Sequence, residues 1–171
     1  IMRDQDRAAP RGTGDVKVGG NYASSIWSLE AAHTKGFSNV LYLDAQTHTK
    51  VEEFGAANFF GIKNNTYVTP KSTSILPSIT NKSLRQIAAD LGLTVEERDI
   101  PVEELATFEE AGACGTAAVI SPIGALYDLD NGITYDYGMK VGETCKKMYD
   151  HLQGIQYGRV EDVHNWNVEV M

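Results

Sequence analysis

Two periods of apolar spacing run along this chain. From Thr80 to Leu91 the apolar positions Leu84, Ile87, Ala88 and Leu91 recur every three or four residues, which predicts an amphipathic helix stopped by Gly92. A second helix is expected over 140–152, and a third from a Ser24 or Ser25 cap to about Lys35, with Gly36 beyond it. Shorter apolar runs predict strands at 39–44 and 94–98. Another run at 117–121 reads as a buried strand stopped by Pro122. Residues 58–62 and 66–69 flank Asn64-Asn65 and read as a hairpin. Pro101 opens a short helical stretch to Phe108. Residues 1–11 are polar, and Pro10 disfavours helix at Ala9, so this segment is expected to be extended. Strands and helices mix without strict βαβ alternation, so the pattern is α+β, with one domain over 12–171.

Composition narrows the function classes. The 171 residues carry a net charge of −8 and no basic cluster, which argues against a nucleic-acid surface. The longest uncharged run, Val18 to Leu29, is too short and too polar to span a bilayer. Cys114 and Cys145 lie far apart, with neither CxxC nor Cys/His ligand spacing, so free buried thiols are expected and no metal site.

Candidate chemistry centres on Gly12-Thr-Gly-Asp-Val-Lys17-Val-Gly-Gly-Asn-Tyr22. Lys17 stands at the mouth of the uncharged run, where desolvation would favour the free, nucleophilic amine. Such amines join carbonyl compounds, pyridoxal 5′-phosphate among them. Gly19 and Gly20 leave room for a flat ring, and Tyr22 offers a phenol. A helix starting near Ile79-Thr80, and the Gly115-Thr116 pair, could each supply backbone N–H groups to an anion. Alone, Thr80 also reads as an ordinary helix cap. Glu52 and Glu53 would face opposite ways on a strand, and the local pattern does not choose between them.

The stretch GTGDVKVGGNYASS resembles the cofactor-lysine segment of the branched-chain amino acid aminotransferases, pyridoxal-phosphate enzymes of fold type IV. The likeness continues through LYLDAQTHTKVEEFGAANFF, ILPSIT and GACGTAAVISPIG to LQGIQYGRVEDVHNW. It implies the large domain of that fold, a distorted barrel-like sheet flanked by helices. It also implies Lys17 as the catalytic, cofactor-bearing residue and Tyr22 at the cofactor's 3′ oxygen. Counting back from Gly55, it selects Glu53 for the pyridine nitrogen and leaves Glu52 as a surface charge. Ile79, Thr80, Gly115 and Thr116 would hold the phosphate, and Thr116 and Ala117 would face the substrate.

The activity implied is transamination of leucine, isoleucine or valine with 2-oxoglutarate, in a cytoplasmic homodimer. Within the fold, D-amino acid aminotransferase and aminodeoxychorismate lyase are alternatives, as is a non-catalytic module. Ala56 stands where many relatives have threonine. Ser78 replaces a usual glycine and should narrow the backbone there. The CxxC of some mammalian relatives reads Ala118 and Ser121 here. Family members are roughly twice as long, so this chain is expected to lack their N-terminal small domain and to be inactive alone.

Overall fold

The computed structural model describes residues 1–170. The chain runs α1 (Gly19–Thr34), β1 (Leu41–Leu43), β2 (Val51–Phe54), β3 (Asn58–Lys63), β4 (Thr66–Pro70), α2 (Ile79–Asp90) and β5 (Thr94–Arg98). A 3-10 turn over Val102–Thr107 leads to β6 (Glu110–Gly115), β7 (Val119–Ile123), β8 (Ala125–Asp128), β9 (Ile133–Asp136) and α3 (Glu143–Gln156). Strands β1 to β7 form one open sheet, and β8–β9 a separate hairpin. The architecture is α+β with helices against a sheet, and the barrel-like sheet stays open.

Pleating divides the core in two. Phe59, Val68, Ala111 and Ala113 face Leu41, Leu43, Ile100, Leu105 and Phe108 on one side. Phe60, Tyr67 and Cys114 face Leu84, Ile87, Met148 and Ile155 of α2 and α3 on the other. Both cysteines are free and buried. At Gly112 a Cβ would overlap the Phe60 ring, which explains a glycine inside β6. Asn64 and Asn65, at φ 47° and 55°, make the tight turn expected between β3 and β4.

Four expectations are corrected. α1 begins at Gly19, not at a serine cap, and it buries Asn21, Ser25 and Ser28 while Ile26 and Trp27 face outward. Small polar residues let this helix lie close to its neighbours, so its buried face left no apolar signal. β7 runs through Pro122 because it pairs only with β6, leaving an open edge where a missing N–H costs nothing. α3 starts at Glu143: the Glu110 carboxylate accepts the N–H groups of Thr144 (2.9 Å) and Cys145 (2.8 Å), a cap supplied from β6. Leu91 is exposed rather than part of the α2 core face. No helix among the described residues is long and apolar enough to cross a membrane.

Candidate functional site

Four connections converge at one end of the sheet: the glycine-rich loop before α1, the β2–β3 turn, the segment 72–79 leading into α2, and the β6–β7 turn. Between them lies a cavity of about 430 Å³. Lys17, Tyr22, Glu53, Ile79, Gly115, Thr116 and Ala117 all line it, with Asn58 beside them. Thr80 does not; it sits one residue further into α2.

The Lys17 loop is shaped by Asn21, whose Nδ2 donates to the carbonyls of Thr13 (2.7 Å) and Val16 (3.0 Å). Asn21 thereby ties the start of α1 back onto the loop and leaves Lys17 at its tip. Lys17 is exposed, so burial does not supply the desolvation expected from the uncharged run.

Glu53 is the deepest charged group in the cavity, 4% exposed. Its Oε1 accepts the Leu76 N–H (3.1 Å) and pairs with Arg7 Nη2 (2.9 Å); Oε2 accepts from Asn58 Nδ2 (2.8 Å). Burial nevertheless dominates and pushes its carboxyl up to about 7, against the opposing pull of Arg7 and the Leu76 N–H. Glu52 points the other way, as strand geometry requires, but it is equally buried and accepts from Ser72 Oγ (2.7 Å). The expectation of a surface charge there is corrected.

At the start of α2, Ser78 caps the helix by accepting the Asn81 N–H (3.2 Å) at φ −70°, ψ 131°. That conformation is open to any residue, so serine in place of glycine brings no strain and adds a cap. Among the described residues, the amides of Ile79, Thr80 and Thr116 donate to no protein acceptor. Free N–H groups at a helix start form an anion-binding surface.

Arg7, which no sequence motif marks, also belongs to the site. It is 7% exposed, and Nη2 also donates to the carbonyls of Gly14 (3.1 Å) and Ser74, while Nε is buried without a partner. No local signal marks it, because Arg7 is brought to Glu53 from 46 residues away in sequence by the fold alone.

The model of the amino-transferase class IV family matches residues 1–126. The chain belongs to this family. It is 51% identical to the branched-chain-amino-acid aminotransferase of Haemophilus influenzae, over 99% of this chain and 52% of that protein. It is 51% identical to that of Helicobacter pylori, over 96% and 48%. The fold matches the branched-chain amino acid aminotransferase of Escherichia coli with a TM-score of 0.84 at 28% identity, over 96% of this chain and 53% of that one. It matches the Thermobaculum terrenum enzyme, solved in its PLP holo form, with a TM-score of 0.79 at 30% identity, over 90% and 48%. The chain thus spans about half the length of these class IV relatives, and the fold is that of fold type IV aminotransferases.

Proposed function

We propose that this chain is the cofactor-binding half of a branched-chain amino acid transaminase that uses pyridoxal 5′-phosphate. The observation that carries the reading is one cavity that gathers an accessible lysine, a buried carboxylate and free backbone amides. The residues fit the cofactor. Glu53 is held high by burial, so a cationic ring N–H brought to it would favour its charged form. The amides of Ile79 and Thr116, with Thr80 next along α2, suit a phosphate. The relatives named above, and the structure solved in PLP form, support the same assignment.

When bound, the cofactor supplies an electron sink for charge left on the substrate α-carbon. Lys17, exposed at the tip of its loop, would hold it. The Lys17 amine would move a proton to and from the substrate α-carbon as general base and acid. Glu53, paired with Arg7, would hold a proton at the ring nitrogen. Tyr22 would sit at the 3′ oxygen, and Thr116 and Ala117 would face the substrate. The outward Ile26 and Trp27 of α1, each more than half exposed, support a homodimer in the full-length protein.

The test is leucine-dependent formation of glutamate from 2-oxoglutarate by the full-length protein. Lys17→Ala should abolish it while cofactor absorbance still reports reversible binding. Unchanged turnover in that variant overturns the assignment.

A further inference from the structure

Glu52 is the buried acid for which the transaminase reading has no use. Its surroundings give it one. Ser72 Oγ donates to Glu52 (2.7 Å) and at the same time accepts the Ser74 N–H (3.0 Å). The Ser74 carbonyl accepts from Arg7 Nη2, the nitrogen that pairs with Glu53. Two residues on, the Leu76 N–H donates to Glu53 itself. Adjacent glutamates on opposite faces of β2 therefore hold the two ends of one short segment. The backing is tight: at Gly14 a Cβ would overlap the Ser74 carbonyl, so segment and Lys17 loop are in direct backbone contact.

We propose that Glu52 is a positioning residue: through Ser72 and Ser74 it fixes the carbonyl on which Arg7 rests, and so keeps the guanidinium against Glu53. This rests on the role given to Glu53 above and extends it to a second layer. Arg7 faces Glu53 from the N-terminal segment and Cys114 from β6, with Lys17 across the cavity, while Glu52, on the opposite face of the same strand, reaches it by charge alone. Of these, Arg7 favours the Glu53 carboxylate, whereas Glu52 opposes it by like charge.

Those opposed signs make the experiment discriminating. Glu52→Gln and Glu52→Ala both remove the like charge, but only glutamine keeps an acceptor for Ser72. Ser72→Ala breaks the link and retains the Glu52 side chain. The readout is the titration midpoint of Glu53 in the cofactor-free, full-length protein, followed by infrared difference spectroscopy of its protonated carboxyl. The band is assigned by its loss in Glu53→Gln. Relative to Glu52→Gln, Glu52→Ala should raise the midpoint by roughly one unit, as expected when a close cation is released. Ser72→Ala should raise it relative to the unmodified protein.

Coinciding midpoints for the two Glu52 variants, or an unmoved midpoint in Ser72→Ala, overturn the proposal. Lower thermal stability with an unmoved midpoint gives Glu52 a structural role only and does the same. If Glu52→Ala does not fold, Ser72→Ala decides alone. Because no cofactor is present, the result bears on Glu52 independently. Failure of the unmodified protein to bind pyridoxal 5′-phosphate would count against the cofactor reading and leave this result untouched.

Discussion

Replacing Glu53 with glutamine should remove a pH-dependent weakness from the cofactor-free protein. The ordinary glutamate value is 4.5, and burial lifts Glu53 to about 7. Between those values the folded state holds a proton that the unfolded chain has released. Stability therefore falls as pH rises through that window, the opposite of a salt-bridged surface acid. A gap of roughly 2.5 pH units, at about 1.4 kcal/mol each, is worth about 3 kcal/mol in full, of which about 2.5 kcal/mol falls between about pH 5 and about pH 8. In Glu53→Gln this contribution is absent.

The assay is urea denaturation of both proteins across that range without cofactor. The stability difference, unmodified minus variant, should drop by about 2.5 kcal/mol toward high pH. Adding pyridoxal 5′-phosphate should largely flatten the drop, because a cation at the carboxylate lowers its folded value. A difference independent of pH would refute the reasoning, since Glu53 would then titrate alike in both states.

Two further outcomes follow from the geometry. Gly14→Ala forces a Cβ into the Ser74 backbone and should cost about 1–3 kcal/mol in denaturation, with weaker cofactor binding because the Lys17 loop must shift; an unchanged midpoint and affinity would contradict the close approach. Ser78→Ala removes the α2 cap and should cost about 1 kcal/mol, whereas Ser78→Gly should cost only a few tenths, measured by the same method; an unchanged stability in Ser78→Ala would mean that the hydroxyl is not the cap.

Elements with strong local signals were legible in the sequence. The Asn64-Asn65 turn, α2 with its Leu84, Ile87 and Ala88 face, and β5 all stand where periodicity and turn chemistry put them. β6 was not read as a strand, because its core contribution is made by Ala, Gly and Cys beside large partners such as Phe60. The β8–β9 hairpin was also unread. In the site, the motif residues Lys17, Tyr22, Glu53, Ile79 and Thr116 do meet around one cavity. Arg7, Ser72 and Ser74 could not be read in advance: their importance lies in long-range contacts to Glu52 and Glu53, and nothing in local spacing records a contact. The burial of Glu52 was hidden for the same reason.

Lys17 is proposed to carry the cofactor. Borohydride reduction of the full-length protein with bound pyridoxal 5′-phosphate, followed by proteolysis and mass spectrometry, tests it directly. The reduced adduct is expected on the peptide containing Lys17. Recovery of the label on another lysine, such as Lys35 or Lys50, or on none, would contradict it.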